Sequence, residues 1–451
     1  PWHLSAPVLG APLHRSESPL MATFSSEPVT PALLGRGVRA TMSAAALILG
    51  AAAAGGAQQV ALVGGMLLDG YEGPVIHNAA IVIEGDRIVT VGPADQVEIP
   101  SNARVIDTRG MTMLPGLIDL HVHTMFLGHG EYSEWFPFFT PDKQAMMEIA
   151  AKQLLMAGVT TAVDLGAPLE IVSLRDRIAR GEVPGPRMLV SGPWIAGRRW
   201  GGYPEYFQHV VSTPEQAAQR TQELADAGVD VIKTWSGMSE TLMRAVVEVA
   251  HARGLQVHSH LYAPDAIRAA MRAGTDVIQH AGSAGNPPYP DDLVLEIANS
   301  GIPVVQTIAH RPWVFQATLE FPERLQDRRL VEDLPPELYE EFQRSFEDFH
   351  RLSYFRTTPQ QIRKSSVAAR QFIAANAVMG MGTDSGSPLN FHTESAWREI
   401  SALVDSGMTP LQAISAATKT GAEILGRGRE LGTIEPGKLA DVIVVRGNPL
   451  F

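Results

Sequence analysis

The pattern of apolar and polar positions divides the chain into three structured regions. From residue 58 to 113, short β-branched runs such as VALVGGMLLDG and AAIVIEGDRIVTVG are separated by Gly and Asp, which is typical of antiparallel strands and hairpins. From 114 to 428, apolar strand-like runs alternate with helical periodicity, which predicts βα units and a parallel sheet. Residues 429–451 return to a β-like pattern and stop within it. We expect them to complete a small β-sandwich with the first region, and to lack its last strand or two.

Eight apolar runs in the central region are the candidate strands, and amphipathic stretches such as SETLMRAVVEVAHARG lie between most of them. Eight parallel strands with eight crossovers predict an α/β fold of the (β/α)8 TIM-barrel type. The alternative is an open doubly wound sheet, which would need a glycine-rich phosphate loop after an early strand, and the sequence offers none. The runs are GLIDLHVHT, GVTTAVDLG, RMLVSG, VDVIKTW, LQVHSHLY, TDVIQHAG, IPVVQTIAH and AVMGMGTDSG.

The connection between the seventh and eighth runs, residues 311–366, is unusually long, charged and aromatic, with helical periodicity. An insertion at this place would lie over the barrel mouth, where long loops often act as lids. The alternative is a solvated helical hairpin with no role in the site.

Composition narrows the possible functions. The net charge of −12 over 451 residues argues against a nucleic-acid partner, because phosphate binding needs a basic footprint. The absence of cysteine excludes thiolate metal sites, disulfides and a cysteine nucleophile. No segment has the roughly 18 unbroken apolar residues of a membrane span. We expect a small-molecule substrate and a homo-oligomer.

Residues 1–57 precede the first strand pattern. Arg36 and Arg39 are followed by an apolar run from Ala44 to Ala54 and by a small-residue end near Gly56, which is the layout of a secretory signal peptide at about 36–57. This predicts export to the periplasm or the medium. If the segment is only a disordered alanine-rich tail, the protein is cytoplasmic.

Ionisable residues recur at the C-terminal ends of the predicted strands. A strand alternates faces with a period of two, so the two histidines of DLHVH share one face, as do those of VHSH. In a barrel these strand ends converge on one mouth. Crowded imidazoles and a carboxylate are costly alone but favourable around a divalent metal such as zinc. The residues are His121, His123, His258, His260, His280 and Asp384.

Lys233 stands at the end of the apolar run GVDVIKTW, although lysine is almost never fully buried without a partner. Beside two metal ions its pKa would be depressed, and the neutral amine could take up CO₂ as a carbamate that bridges both ions. The alternative is a lysine that snorkels out of the barrel or pairs with an acid.

Together, PGLIDLHVH, Lys233, HLYAPDAIRAAMRAGTDVIQH, GTDSG and ATKTGAEILG…LGTIEPGKLADVIVV resemble the amidohydrolase superfamily, in particular its imidazolonepropionase-like and prolidase-like members with two metals and a carboxylated lysine. The resemblance runs from Ala61 to the end. It implies two divalent ions, zinc by default. It also implies a ligand set in which His260, rather than the deeper His258, represents the fifth strand. The implied metal ligands are His121, His123, carboxylated Lys233, His260, His280 and Asp384, with Asp384 also catalytic.

The same resemblance implies a hydrolase that cleaves an amide-type C–N bond in a dipeptide, N-acyl amino acid, cyclic amide or carbamate. A metal-bridging hydroxide would attack, with Asp384 as the proton shuttle. One alternative is a mononuclear, deaminase-like enzyme, which would lack the lysine; another is an inactive binding or assembly barrel, which would have lost ligands. Candidates for substrate binding are Arg198, Arg199, Tyr203, His258, Tyr262, His310 and His392.

Overall fold

Six strands from both ends of the described chain form one mixed sheet in the computed structural model, which describes residues 59–282, 288–310, 312–356 and 358–451. β1, β2 and β3 pair antiparallel, β4 and β5 each run parallel to β1, and β16 pairs antiparallel with β5. The predicted signal peptide lies outside the described residues. The strands are β1 (Gln59–Leu67), β2 (Ile76–Glu84), β3 (Arg87–Pro93), β4 (Arg104–Asp107), β5 (Met111–Pro115) and β16 (Val442–Arg446).

Both faces of this sheet are buried. Val60 and Leu62 belong to one apolar cluster, whereas Ala61 between them belongs to another, as expected for side chains that alternate across a strand. The parallel pairing of β4 and β5 differs from the predicted antiparallel hairpins. It is possible because β2 and β3 intervene along the chain, which leaves length for the crossover that parallel strands require.

Each of the eight predicted central runs contains a strand, and every paired neighbour among these strands is parallel. One sheet has the order β6-β7-β8, and a second has the order β10-β9-β11-β12-β13-β14-β15. The short strands β9 and β10 were not predicted. The strands are β6 (Leu117–Val122), β7 (Val159–Asp164), β8 (Arg187–Val190), β9 (Trp194–Ala196), β10 (Gln208–Val210), β11 (Val231–Thr234), β12 (Gln256–His260), β13 (Val277–Gln279), β14 (Val304–Val305) and β15 (Met379–Gly380).

Backbone hydrogen bonds connect the two parallel sheets at both edges. The Asp230 amide donates to the Val190 carbonyl at 2.9 Å, between β11 and β8. The Leu120 amide donates to the Met381 carbonyl at 3.0 Å, between β6 and the residues after β15. The strand ends that carry the ionisable residues are therefore held near one another.

Helices between the strands follow the predicted amphipathic pattern. Before α5, the Ser239 hydroxyl accepts from the Leu242 amide at 3.3 Å, a typical N-cap, and α6 ends at Gly274 with a left-handed φ of 94°. No helix in the described part of the chain is long and apolar enough to cross a membrane. The helices are α1 (Tyr132–Phe139), α2 (Lys143–Met156), α3 (Ile171–Ala179), α4 (Pro214–Asp226), α5 (Glu240–Ala252), α6 (Pro264–Ala273), α7 (Asp291–Ser300), α8 (Pro312–Glu320), α9 (Arg328–Val331), α10 (Pro336–Glu347), α11 (Thr358–Ala374), α12 (Ser395–Asp405), α13 (Pro410–Ala416) and α14 (Lys419–Ile424).

The long insertion is helical, as its periodicity predicted, and it has its own apolar core. Phe342 and Phe355 of the insertion pack in one buried cluster with Phe391 from the segment after β15. The Glu131 carboxylate, in the loop after β6, accepts hydrogen bonds from the backbone amide and the hydroxyl of Ser353. These contacts hold the insertion against the loops at the C-terminal ends of the parallel strands.

Candidate active site

The residues predicted as metal ligands lie together at the C-terminal ends of the parallel strands. His121, His280 and Asp384 offer ligand atoms that all lie within 4.8 Å of one another. The Asp384 Oδ1 atom is 3.2 Å from His123 Nε2 and 3.6 Å from His121 Nε2. The His260 ring lies 4.5 Å from the His280 ring, centroid to centroid, and the buried Lys233 lines the same cavity.

Two members of this cluster have unusual backbone conformations. His280 has a φ of 66° and Asp384 a φ of 55°, in the left-handed region that non-glycine residues seldom adopt. The Asp384 amide donates to the His121 carbonyl at 2.8 Å, and the Asn390 side chain donates to the Asp384 carbonyl at 3.0 Å. The surrounding hydrogen bonds thus hold a conformation that costs free energy, which is common at functional sites.

Gln279 links two of the histidines through its side-chain amide. Its Oε1 atom lies 2.7 Å from His121 Nδ1, and its Nε2 atom lies 3.1 Å from His258 Nδ1 and 3.4 Å from the Leu120 carbonyl. An amide nitrogen only donates and an amide oxygen only accepts. His121 therefore carries its proton on Nδ1 and turns the Nε2 lone pair toward Asp384, whereas His258 accepts at Nδ1 and carries its proton on Nε2.

This arrangement distinguishes the two histidines of β12. A ring nitrogen that carries a proton has no lone pair for a metal ion, so His258 in this tautomer offers no ligand atom at Nε2. His258 is fully buried, whereas His260 is partly exposed and lines the cavity. The geometry favours His260 as the ligand from this strand.

Burial sets the protonation of the cluster. It lowers the pKa of His121, His260 and His280 well below the usual histidine range, which leaves these rings neutral. Burial also lowers the pKa of Lys233 to about 7, although the charge of Asp384 opposes the shift. At Asp384 burial acts to raise the pKa, but the hydrogen bond from His123 and the neighbouring histidines outweigh it, so the pKa falls and the carboxyl is ionised.

The donor set fits a divalent metal ion. His121 Nε2 and Lys233 Nζ are buried and have no hydrogen-bond partner among the described residues, although buried polar atoms are nearly always satisfied. Neutral imidazoles beside an ionised carboxylate are the ligands that Zn²⁺ and neighbouring first-row metals bind. His121 and Asp384 can therefore bind a metal without any change of protonation, whereas His123, whose Nε2 donates to Asp384, would first have to move its proton to Nδ1.

A cavity of about 720 Å³ opens from the cluster. Of the residues predicted to bind substrate, Arg198, Tyr203, Tyr262 and His310 line this cavity. The His310 Nε2 atom lies 3.6 Å from Asp384 Oδ2, and its Nδ1 atom lies 2.7 Å from the Thr307 carbonyl.

The other three substrate candidates are not among the residues that line the cavity. Arg199 pairs with Glu205 at 2.9 Å on an exposed loop. His258 lies beneath the cluster against Gln279. His392 is fully buried, and burial lowers its pKa to about 3.

Sequence reasoning missed two features of the site. One is Gln279, whose signal was its place directly before His280 at a strand end. The other is the aromatic wall of the cavity, whose strongest signal was Trp235, two residues after Lys233. The aromatic residues that line the cavity are Phe126, Tyr132, Trp194, Trp200, Tyr203, Trp235, Tyr262 and Tyr354.

The chain is similar to known proteins over most of its length. A model of the amidohydrolase family matches residues 112–450. The chain is 25% identical over 416 residues to the 5-methylthioadenosine/S-adenosylhomocysteine deaminase of Symbiobacterium thermophilum, covering 82% of this chain and 81% of that protein. It is 24% identical over 400 residues to the imidazolonepropionase of Geobacillus kaustophilus, covering 82% and 84%. A solved structure from Bifidobacterium longum, assigned as a prolidase, matches with a TM-score of 0.67 and 29% identity over 88% of this chain and 90% of that one.

Proposed function

Because the chain belongs to the amidohydrolase family, and is thereby a hydrolase acting on carbon–nitrogen bonds, we propose that it cleaves an amide-type bond at the His121–His280–Asp384 cluster. The observation that carries this proposal is the meeting of these three donors within 4.8 Å at the base of a substrate-sized cavity. The substrate is a dipeptide, an N-acyl amino acid, a cyclic amide or a carbamate.

The proposed centre would hold two divalent ions. His121, His123 and Asp384 would hold one ion, and His260 and His280 would hold the other. Lys233, carboxylated by CO₂ with release of one proton, would supply a further anionic ligand. Its support is a buried amine that has no acid partner in the described chain. When bound, divalent metal supplies Lewis acidity, which lowers the pKa of water and polarises a substrate carbonyl.

The chain's own residues perform the proton transfers. Asp384 accepts a proton from the attacking water and delivers it to the leaving nitrogen, as a general base and then a general acid. In this structure the hydrogen bond from His123 and the neighbouring histidines lower the pKa of Asp384, so that its carboxylate is ionised and able to accept a proton. His310, at 3.6 Å from the other carboxylate oxygen, is placed to contact the substrate beside it.

We also propose the larger architecture that this function requires. The two parallel sheets close into a (β/α)8 barrel over residues 114–428, and the strands of 58–113 and 429–451 form the small β-sandwich. Residues 311–366 form the lid, which is supported by the position of Ser353 and Tyr354 on the cavity wall.

A mononuclear centre is the second candidate. His121, His280 and Asp384 are by themselves close enough to hold a single ion. The deaminase of Symbiobacterium thermophilum is also a relative over most of the chain. In that case Lys233 remains an unmodified amine and the reaction is closer to a deamination.

The number of metal ions bound per chain distinguishes the binuclear hydrolase from the mononuclear centre. The protein is purified with ¹³C-bicarbonate and without chelator, metals are measured by elemental analysis, and the lysine carbamate is detected by ¹³C NMR. Two ions per chain, a carbamate and turnover of N-acyl amino acids, dipeptides or lactams support the binuclear hydrolase. One ion with a bare lysine supports the mononuclear centre. A protein that binds no metal after reloading with zinc, cobalt or manganese contradicts both.

A further inference from the structure

The wall of the cavity identifies a narrower class of substrate. Resting on the proposed hydrolase function, we propose that the substrate is an amide with a large apolar or aromatic acyl group and a free carboxylate, and without an ammonium group. The aromatic wall binds the acyl group and Arg198 binds the carboxylate.

The aromatic side chains above the cluster form a continuous surface. Trp235 lies at its centre, with ring centroids 4.3 Å from Trp194, 5.1 Å from Trp200 and 5.7 Å from Tyr203. Aromatic rings prefer to bind other apolar and aromatic groups in stacked or edge-to-face contact. A surface of this extent is larger than a methyl or acetyl group can use, so it favours a bulky acyl group.

Among the described residues that line the cavity, one charged side chain lies outside the cluster. Among the described lining residues, Arg198 is the only formally charged side chain other than Lys233 and Asp384. Its Nε atom donates to the Ser236 hydroxyl at 3.0 Å, and no ion-pair partner for it occurs among the described residues. A guanidinium in such a position is suited to binding a carboxylate through two parallel hydrogen bonds.

The loop that carries Arg198 is positioned by backbone contact. The Gly197 amide donates to the Ser236 carbonyl at 3.0 Å, and a Cβ atom at Gly197 would lie 2.0 Å from the Gly237 carbonyl oxygen. Only glycine permits this approach of the two loops. The backbone at Arg198 is thereby held against Ser236 and Gly237, and its side chain, although exposed, lines the cavity.

The described wall offers an ammonium group no counter-charge, since it contains no carboxylate beyond Asp384. A dipeptide would bring its free α-ammonium into this apolar cavity and pay for its desolvation. An N-acyl amino acid presents the same amide without that charge. Aromatic rings can also bind cations, so the experiment compares the two directly.

Four compounds that differ by one feature each test the inference on the metal-loaded enzyme. The reference is N-(3-phenylpropanoyl)-L-leucine. L-Phenylalanyl-L-leucine adds only the ammonium, N-acetyl-L-leucine lacks the aromatic group, and N-(3-methylbutyl)-3-phenylpropanamide lacks the carboxylate. We expect kcat/KM for the reference to exceed each of the others by about tenfold or more, since every lost contact costs at least one order of magnitude. A faster reaction with the dipeptide or with N-acetyl-L-leucine overturns the inference and leaves the hydrolase function standing.

Arg198→Met separates the carboxylate contact from other effects. It should raise KM about tenfold or more for the reference compound and leave the compound without a carboxylate nearly unchanged. Arg199→Met is the matched control, because Arg199 pairs with Glu205 outside the cavity lining, and it should change neither value. Equal effects of the two substitutions overturn the role of Arg198.

Binding of the reference compound to the metal-loaded Asp384→Asn variant, measured by calorimetry, shows whether a failure concerns the hydrolase function or the proposed substrate class. Binding that depends on Arg198, together with no turnover of any compound by the unmodified enzyme, contradicts the hydrolase function but not the specificity of the cavity. No binding of the reference compound, with binding of the dipeptide, contradicts the inference itself.

Discussion

Gln279 provides the sharpest test of the site, because it touches two histidines without being a ligand. Gln279→Met keeps nearly the same volume and removes both polar atoms. His121 Nδ1 then loses its acceptor at 2.7 Å and His258 Nδ1 loses its donor at 3.1 Å. Both rings stay buried but no longer have a fixed tautomer.

The expected magnitude follows from those two contacts. Leaving a buried polar atom unsatisfied costs roughly 1–3 kcal/mol, so two orphaned ring nitrogens should lower the free energy of unfolding by roughly 2–6 kcal/mol. Losing the partner that orients a ligating histidine typically weakens metal binding by about 10–100-fold. We therefore expect Gln279→Met to bind metal one to two orders of magnitude more weakly than the unmodified protein.

The assay is metal affinity, measured by competition with a chelator of known affinity, together with ¹⁵N NMR of the histidine rings. Gln279→Glu is the informative companion variant. Its carboxylate still accepts from His121 but cannot donate to His258. The His121 tautomer and the metal affinity should therefore be largely preserved, whereas the His258 proton should move from Nε2 to Nδ1.

Gln306→Met is the matched control. Gln306 is also buried, and its Nε2 atom donates to the Ala281 carbonyl at 2.6 Å, but none of its described hydrogen bonds reaches the cluster. It should lose stability while retaining metal affinity. The reasoning is refuted if Gln279→Met binds metal as tightly as the unmodified protein, or if Gln306→Met loses the same factor.

Three further substitutions test other parts of the site. Lys233→Ala should lower the metal content and abolish hydrolysis, because the bridging group is lost; normal turnover with full metal content would exclude the carbamate. Asp384→Asn should keep the fold, as judged by its melting temperature, but lower kcat by about 10²–10⁴-fold, since the proton shuttle is removed. Gly197→Ala should cost about 1–3 kcal/mol of stability through overpacking and weaken binding of carboxylate substrates. Gly201→Ala, whose Cβ would meet nothing within 4 Å, should do neither, and equal behaviour of the two glycine variants would count against the loop contact.

The strand-end histidines show how far the sequence pattern reaches. The period of two placed His121 and His123 on one face, and both lie within 3.6 Å of Asp384 Oδ1. The two side chains share that face although the pairing of β6 with β7 shifts register between Asp119 and Val122. The same rule put His258 and His260 on one face, but it could not assign their different depths, nor the tautomer of His258, which depends on Gln279 from another strand.

The rule fails at Gln279 and His280 for a specific physical reason. Adjacent residues on a regular strand point to opposite faces, yet both side chains contact the cluster: Gln279 bonds to His121, and the His280 ring lies 4.3 Å from the His121 ring. The left-handed φ of 66° at His280 breaks the alternation. A non-glycine residue gives no sequence signal for such a conformation, so the joint contact of Gln279 and His280 with His121 could not be predicted from the pattern.

The aromatic wall escaped prediction for a different reason, since its members are distant in sequence and each is an ordinary core residue by composition. Phe126 follows β6 and Trp235 follows β11, and both line one cavity because these strands of the two parallel sheets end on the same side. The reasoning that selected Lys233 from its place at a strand end applies equally to Trp235, and to Trp194 in the segment after β8. Strand-end position predicts exposure to the site, whatever the chemistry of the side chain. Restricting that rule to ionisable residues identified the candidate metal ligands and missed the aromatic residues that we propose select the substrate.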